Sequence, residues 1–366
     1  MSNVTGPEFD LVGAPSRVPE EERRRILADP GFGRYFSDHM AVADWAADTG
    51  WHSHRLTALA PFPIHPAAAV LHYAQEIFEG LKAYRHADDS VWLFRPRENA
   101  RRFAHSARRL ALPVLDEDVF VASVEALVRA DRDWVPESGT GKSLYLRPFM
   151  FGSEVFLGVR PARSVIYAVI ATPAGSYFAP AAADGVSLWV STTYTRAAVG
   201  GTGSAKCGGN YAGGLAAQLE ARENGCDQVL YLTPSEPRLV EEVGTMNILA
   251  VTADRELLTP ELGSILPGIT RDTVLDLAAE HGLKAVERQV GIDELLGRCR
   301  DGSITEVFAA GTAAVITPVS ALHGEGYSIT VGTGRRGPVA EELDQHILDV
   351  QFGRRPDDHG WMHRVL

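Results

Sequence analysis

The chain has 366 residues, which is enough for two domains of ordinary size with substantial hydrophobic cores. Its formal net charge of −12 argues against nucleic acid or an anionic membrane surface as the main partner, and no apolar run approaches the roughly 18 residues of a membrane span. Three cysteines without CxxC spacing, and an acidic start without a signal-peptide pattern, predict a cytoplasmic protein that has no disulfide framework.

The first half of the sequence mixes strand-like and helix-like segments. Residues 1–30 are polar and acidic, and we expect them to lie over the surface. The first long apolar segment covers residues 67–84. From hydrophobic periodicity, strands are predicted at 91–96, 144–151 and 164–171, and helices at 97–111 and 117–134.

A small-residue and proline segment, SYFAPAAAD at 176–184, is typical of a linker. We therefore predict a first domain at 1–178, a linker at 179–191 and a second, cofactor-binding domain at 192–366. Both halves mix strands and helices, which indicates an α+β or α/β fold in two domains. Beyond residue 178, strands are predicted at 186–193, at 228–233, at 241–252 (one or two strands, broken at Gly244) and within 304–319. Helices are predicted at 213–223, at 270–281 and from 338 to near 353.

The glycine-rich stretch RAAVGGTGSAKCGGNYAGGL, residues 196–215, contains Lys206. Only four of the 35 basic residues are lysines, so a lysine among small uncharged residues suggests a role that arginine cannot fill. An amine can lose its proton and form a Schiff base, whereas a guanidinium stays protonated. The alternative is a mobile glycine loop with a solvated lysine. Cys207 has no evident partner for nucleophilic chemistry, and we expect it to be a small packing residue.

Several other motifs carry weaker signals. LPGITR, from Leu266, places a glycine before a helix start, which suits a phosphate, although the motif by itself favours an ordinary helix start capped by Thr270 or Asp272. Glu241 and Glu242 precede VGTMN in an apolar setting, where a carboxylate can pair with a buried cationic ring nitrogen or can equally be a surface charge at a strand end. SGTGKS, from Ser138, resembles the end of a P-loop but lacks the first glycine and the following helix, so we interpret it as a loop. No cluster has convincing metal-ligand spacing, and no metal is predicted.

Together these motifs describe a ligand with an aldehyde, a cationic ring nitrogen and a phosphate, which are the features of pyridoxal 5′-phosphate. At this point the chain resembles a known family, the branched-chain amino-acid aminotransferases, from about residue 32 to the end. The resemblance implies a two-domain, fold-type IV (D-amino-acid aminotransferase-like) enzyme. The blocks that carry it are LHYAQEIFEGLKAYR, LFRPRENARR, SLYLRP, RAAVGGTGSAKCGGNY, EEVGTMN, LPGITR and FAAGTAA.

The resemblance implies a cofactor role for eight residues. Lys206 is expected to form the Schiff base and to carry the proton between Cα and C4′, while Glu242 pairs with the pyridine nitrogen. Tyr211 is expected to bond the phenolic oxygen of the ring. The phosphate is expected to be bound by Arg102, by the backbone N–H groups of Ile269 and Thr270, and by the hydroxyl of Thr312. Arg196 is expected to have a supporting role near the cofactor.

The resemblance also implies a substrate pocket and a homodimer with shared active sites. The expected reaction passes the amino group of L-leucine, L-isoleucine or L-valine to 2-oxoglutarate, which becomes glutamate. Phe36, Phe78 and Tyr177 are expected to wall the pocket, Tyr73, Tyr145 and Arg147 to bind the distal carboxylate of glutamate, and the N–H groups of Thr312 and Ala313 to bind the α-carboxylate. Tyr73, Leu157 and Val159 are expected to come from the neighbouring subunit.

Two other assignments remain open at this stage. A D-amino-acid aminotransferase or an aminodeoxychorismate lyase would keep the same lysine and glutamate, and a nucleotide-binding protein would be organised around SGTGKS. One feature departs from some relatives, which have a CxxC pair after the GTA segment as a redox switch. Those places are Ala314 and Thr317 here, so we expect no thiol regulation at that site.

Overall fold

The computed structural model describes residues 8–13, 17–175 and 184–366. The chain divides into two units: the first contains Met1–Tyr177, Ala205–Gly208 and Asp349–Leu366, and the second contains Phe178–Ser204 and Gly209–Leu348. This differs from the predicted continuous domain at 192–366, because a four-residue segment around Lys206 and the C-terminal segment belong to the first unit. The predicted linker at 179–191 lies outside the described residues as far as 183, and its later part contains a strand.

The secondary structure follows the predicted mixture of strands and helices. Up to residue 175 the elements are β1 (Asp10–Val12), α1 (Glu20–Ala28), β2 (His39–Ala46), β3 (Gly50–Ala58), α2 (Ala69–Tyr73), β4 (Glu76–Phe78), β5 (Leu81–Arg85), β6 (Val91–Phe94), α3 (Pro96–Arg109), α4 (Glu117–Ala130), β7 (Ser143–Gly152) and β8 (Ser164–Ala174). From residue 184 they are β9 (Val186–Val190), α5 (Gly208–Gly213), α6 (Leu215–Glu223), β10 (Gln228–Leu232), β11 (Val240–Val243), β12 (Met246–Thr252), β13 (Glu256–Thr259), α7 (Ile269–Leu277), β14 (Lys284–Glu287), α8 (Ile292–Arg300), β15 (Ile304–Gly311), β16 (Val315–Gly324), β17 (Tyr327–Thr330), α9 (Pro338–Gln351) and β18 (Met362–Arg364).

The first unit is built on a nine-stranded sheet in the order β1-β3-β2-β8-β7-β5-β6-β18, with β4 paired to β7. All neighbours are antiparallel except β1 and β3. The helix α4 covers part of this sheet because its apolar residues recur at helical spacing, and it buries Phe120, Val124 and Leu127. Its start is fixed by Asp116, whose side chain accepts a hydrogen bond from the N–H of Asp118 at 2.8 Å.

The helix α3 is unusual because its buried face includes polar side chains. It begins with Pro96 in its first turn, where the missing N–H costs nothing. Asn99, Arg102, Phe103 and Ser106 are buried and follow one another at spacings of three, one and three residues, so they share one side of the helix. The three polar side chains on this face take part in the candidate site of the first unit.

The second unit contains another nine-stranded sheet, in the order β11-β10-β9-β16-β15-β12-β13-β14, with β17 paired to β16. Because β11 also pairs with β12, the strands from β11 to β12 in this order form a closed ring of hydrogen-bonded neighbours. The hairpin between these two strands turns at Gly244, whose φ of +55° is accessible to glycine without strain. It sets Glu242 directly opposite Asn247 on the neighbouring strand. Across the residues that the model describes, no helix is long and apolar enough to cross a membrane.

Candidate active site

The backbone around Lys206 is held from both sides within the first unit. The N–H of Lys206 donates to the hydroxyl of Ser106 on α3 at 2.9 Å. Its carbonyl accepts from the N–H of Phe78 in β4 at 3.0 Å. Two residues on, the N–H of Gly208 donates to the Glu76 carboxylate, and a Cβ at this glycine would overlap that carboxylate. The position of Lys206 is therefore fixed by α3 and β4 and is not that of a mobile loop.

The side-chain amine of Lys206 lies in an environment that favours its neutral form. Burial, which disfavours the charged form, lowers its pKa to about 8, and the Arg102 guanidinium acts in the same direction. Glu79 acts against both and raises the pKa. The amine lies 4.9 Å from the centre of the Phe78 ring. Half of the Lys206 amines are thus neutral at about pH 8, so the unprotonated form that a nucleophilic amine requires is accessible near neutral pH.

Arg102, which the resemblance assigns to the phosphate, is buried on α3 and forms an ion pair with Glu79. Sequence analysis did not identify Glu79. The available signal was a glutamate between Phe78 and Gly80 inside an apolar run, where a charge needs a partner once it is buried. Cys207, next to Lys206, is buried and packs into the hydrophobic core of the first unit.

Arg147 and Tyr145 lie next to each other on one face of β7. The guanidinium of Arg147 donates to the Tyr145 hydroxyl at 3.1 Å and lies 4.7 Å from the centre of the Phe78 ring. Its Nε is buried and has no hydrogen-bond partner among the described residues. A buried donor without a partner is costly, so this atom is suited to an anionic ligand. The structure thus brings together three of the predicted substrate residues.

The residues predicted to serve a neighbouring subunit lie on an exposed part of the first unit. The Tyr73 hydroxyl donates to the Leu157 carbonyl at 2.6 Å. Leu157 is 66% exposed and Val159 is 90% exposed. Phe36 is also exposed, and Tyr177 lies outside the described residues. Apolar side chains exposed to this degree are suited to burial in a protein interface.

Glu242 is a buried carboxylate in the second unit. Arg196 forms an ion pair with one of its oxygens and donates to the Gly203 carbonyl at 3.2 Å. The other oxygen accepts from the N–H of Leu266 at 3.1 Å and from the Asn247 side chain at 3.2 Å. Glu242 is therefore a buried carboxylate in a fixed orientation. Arg196, for which a supporting role was predicted, contacts Glu242 directly.

Asn247 connects Glu242 to the start of α7, and sequence analysis did not identify it. Its amide also donates to the Leu266 carbonyl at 3.0 Å. A Cβ at Gly268 would overlap the side-chain amide oxygen (Oδ1) of Asn247, so the approach of this loop requires glycine. Gly268 is followed by Ile269 and Thr270 in the first turn of α7, and Gly268, as the N-cap residue, has no side chain to cap that turn. The N-terminal N–H groups of this helix are thus suited to a phosphate.

The remaining predicted residues of the second unit lie in two other places. Tyr211 is on the short helix α5, and Thr312 and Ala313 form the turn between β15 and β16. The P-loop-like segment has no helix after it, because Ser143 begins β7. Lys142 instead donates to the carbonyls of Leu27 and Ala28 at the end of α1, at 3.0 and 2.6 Å. This segment is a structural loop that stabilises a helix terminus.

The chemistry of these side chains fits pyridoxal phosphate. Lys206 supplies an amine with a lowered pKa, Glu242 a buried carboxylate for a cationic nitrogen, and the first turn of α7 a set of N–H donors for a phosphate. Within the described residues, no group of three or more histidine, cysteine or acidic side chains is arranged to hold a metal ion.

Comparisons with known proteins agree with this chemistry. The amino-transferase class IV family model matches residues 76–322. A probable branched-chain-amino-acid aminotransferase of Streptomyces coelicolor is 49% identical over 99% of this chain and 100% of its own, and a branched-chain-amino-acid aminotransferase of Mycobacterium tuberculosis is 49% identical over 98% of each. The crystal structure of the Escherichia coli branched-chain amino acid aminotransferase has a TM-score of 0.74 at 30% identity, over 89% of this chain and 100% of that one. A second crystal structure, of a branched-chain amino acid aminotransferase with pyridoxamine 5′-phosphate, has a TM-score of 0.72 at 31% identity, over 89% of this chain and 99% of that one.

Proposed function

We propose that this chain, which belongs to the class IV aminotransferases and within them to the branched-chain amino-acid aminotransferases, transfers the amino group of L-leucine, L-isoleucine or L-valine to 2-oxoglutarate. The observation that carries the proposal is the lysine amine of Lys206, which has a pKa of about 8 and a backbone fixed on both sides. It is the residue through which we propose that pyridoxal phosphate is bound covalently.

The cofactor supplies an electron sink for the negative charge that develops at Cα of the amino acid. With the cofactor bound, Lys206 Nζ would accept the proton from Cα of the amino acid and would be the group that donates it at C4′, a role that suits an amine with a pKa of about 8. Glu242, fixed by Leu266 and Asn247, keeps the ring nitrogen protonated. Tyr211 orients the ring through its phenolic oxygen, and Arg196 holds Glu242 in place.

We assign the phosphate of the cofactor to Arg102, to the N–H groups of Ile269 and Thr270, and to the Thr312 hydroxyl. The assignment to the N–H groups of Ile269 and Thr270 is supported by the N-cap residue of α7, Gly268, which makes no side-chain cap hydrogen bond. Arg102 has five N–H donors, so its bidentate pairing with Glu79 is compatible with binding a second anion.

The substrate has to present either an aliphatic side chain or the distal carboxylate of glutamate. We propose that Arg147 and Tyr145, with Tyr73, bind that carboxylate; the partnerless Nε of Arg147 supports this. Phe36 and Phe78 supply apolar surface for leucine, isoleucine and valine, and Tyr177 has the role that the resemblance implies. The N–H groups of Thr312 and Ala313 bind the α-carboxylate that all these substrates share.

We further propose that the enzyme is a homodimer, in which Tyr73, Leu157 and Val159 contribute to the active site of the partner. The high exposure of Leu157 and Val159, close together in sequence and next to Tyr73, supports this, because neighbouring exposed apolar side chains provide surface that an interface can bury. The compartment that we propose is the cytoplasm, since Cys207, Cys226 and Cys299 are all free and buried.

The experiment that tests this function is a single half-reaction followed by absorbance. Protein loaded with pyridoxal phosphate is mixed with L-leucine or with a D-amino acid such as D-alanine, without a 2-oxo acid. We expect L-leucine to convert the cofactor spectrum to that of pyridoxamine phosphate and D-alanine to leave it unchanged. Conversion by D-alanine alone would favour a D-amino-acid aminotransferase instead, and release of product without cofactor conversion would favour a lyase.

A further inference from the structure

Glu79 is a fully buried carboxylate, with 0% of its surface exposed, and it lies directly after β4. Its two oxygens accept from Arg102 at 2.7 Å (Nε) and 2.9 Å (Nη2). They also accept from the Asn99 side chain at 2.8 Å and from the N–H of Gly80 at 3.1 Å. The carboxylate is therefore ionised and saturated with donors, which is how a buried charge is tolerated.

These bonds join the two elements that hold Lys206. Asn99 and Arg102 lie three residues apart on α3, and Ser106, which accepts from the N–H of Lys206, follows one turn later on the same helix. On the other side, Glu79 follows Phe78, whose N–H donates to the Lys206 carbonyl. Loss of the Glu79 carboxylate would release the link between α3 and β4 at this point.

Glu79 also opposes the charge of Arg102 at the Lys206 amine. Burial by itself would raise the pKa of Glu79, but the charge and hydrogen bonds of Arg102, with Lys206 and Asn99, hold it below its usual range. At the pH of the reaction Glu79 is thus an anion. Arg102 lowers the pKa of Lys206 and Glu79 raises it, so the two charges of this ion pair have opposite effects on the pKa of Lys206.

We propose that Glu79 is a positioning residue for the aminotransfer reaction: it fixes the orientation of the Arg102 guanidinium for the cofactor phosphate and balances its charge next to the Lys206 amine. This inference rests on the proposed roles of Arg102 and Lys206. A bidentate carboxylate leaves a guanidinium little rotational freedom, so the phosphate meets an arginine that is already oriented. Neither consequence requires Glu79 to contact the cofactor or the substrate.

The first test compares two ligands that differ only in the phosphate. Dissociation constants of pyridoxal phosphate and pyridoxal are measured for the wild type, Glu79→Gln, Arg102→Gln and the double variant. We expect Glu79→Gln to weaken pyridoxal phosphate about ten-fold more than pyridoxal, and to have no further effect on that ratio once Arg102 is replaced. An unchanged ratio in Glu79→Gln, or an equal loss in the Arg102→Gln background, would overturn the proposal.

The second test uses protein without cofactor. The rate at which a small amine-specific reagent modifies Lys206 is followed against pH by mass spectrometry. The wild type should show a midpoint near its pKa of about 8. In Glu79→Gln the attraction for the ammonium is lost, so the midpoint should move to lower pH, and an unmoved midpoint would contradict the charge balance. Glu125→Gln is the matched control, because this half-buried glutamate pairs with Arg129 and His363 and should leave the midpoint unchanged.

A third variant keeps the proposal testable if Glu79→Gln does not fold. Glu79→Asp keeps the negative charge but shortens its reach, so we expect a nearly normal Lys206 midpoint together with a reduced preference for pyridoxal phosphate over pyridoxal. A variant that changes both readouts no more than Glu125→Gln does would count against Glu79. A wild-type protein that fails to bind pyridoxal phosphate would contradict the proposed function instead, and the pH midpoint would still test Glu79.

Discussion

Ser106 accepts a hydrogen bond from the backbone N–H of Lys206 at 2.9 Å, and this serine is completely buried on α3. The bond makes the position of the proposed catalytic amine depend on a helix 100 residues away in sequence. A buried N–H that loses its acceptor is costly, so the contact stabilises this segment as well as positioning it.

Replacement of Ser106 by alanine should therefore lower turnover more than stability. We expect about 1 kcal/mol of lost unfolding free energy and about a ten-fold lower kcat, because Lys206 is held less well. Ser123→Ala is the control: Ser123 is equally buried in the same unit, and its hydroxyl donates to the Phe120 carbonyl and contacts the Tyr167 hydroxyl. Denaturant unfolding and steady-state kinetics of both variants distinguish the two effects, and equal kcat values would refute the positioning role of Ser106.

Arg147→Gln should separate the two kinds of substrate. Loss of the guanidinium removes a charged donor from the distal carboxylate, which should raise KM for 2-oxoglutarate and glutamate about ten-fold to a hundred-fold. L-Leucine has no distal carboxylate, so its KM should stay nearly unchanged and serves as the internal control. A parallel rise in both KM values would show that Arg147 shapes the pocket in general and does not recognise the carboxylate.

Gly268→Ala should weaken cofactor binding through a clash. Its new Cβ would overlap the side-chain amide oxygen (Oδ1) of Asn247, so this side chain would have to leave Glu242 and Leu266, and the start of α7 would shift. Gly263→Ala is a matched control in the same loop, because nothing lies within 4 Å of its Cβ position. We expect pyridoxal phosphate to dissociate at least about ten-fold faster from Gly268→Ala only; equal rates in both variants would exclude this role for the loop.

Val159→Asp should impair the proposed dimer. A carboxylate at this 90% exposed position costs a free subunit little, but burying it in an interface without a partner would weaken association by about a hundred-fold. Analytical ultracentrifugation should show monomers, and specific activity should rise with protein concentration. Val114→Asp, at another exposed valine of the first unit, should stay dimeric. A dimeric and fully active Val159→Asp would place the interface elsewhere.

Some parts of the fold were predictable because the sequence determines them locally. α4 has a capping aspartate and apolar residues at helical spacing, and the break at Gly244 separates β11 from β12 as expected. β2 and β3 were not predicted, because residues 39–58 interleave histidine, aspartate and arginine with apolar side chains. Their burial depends on distant partners, for example His39 with Asp131, 92 residues later.

The same contrast applies to the candidate site. Lys206 could be selected as a candidate from composition, because a single lysine among glycines stands out in a protein whose basic residues are mostly arginine. Glu79 and Asn247 could not, since their importance lies in contacts with Arg102 and Glu242 that only the folded chain brings about. The assignment of residues 205–208 to the first unit was also missed, because a four-residue segment carries no periodic signal of its own.

The central claim is that Lys206 is the lysine that binds the cofactor. It is tested most directly by loading the protein with pyridoxal phosphate, reducing the linkage with borohydride and mapping the modified peptide by mass spectrometry. The chain offers four lysines, and we predict the phosphopyridoxyl group on Lys206 alone, with Lys82, Lys142 and Lys284 unmodified. A stoichiometric adduct on any of those three, with Lys206 unmodified, would contradict the account.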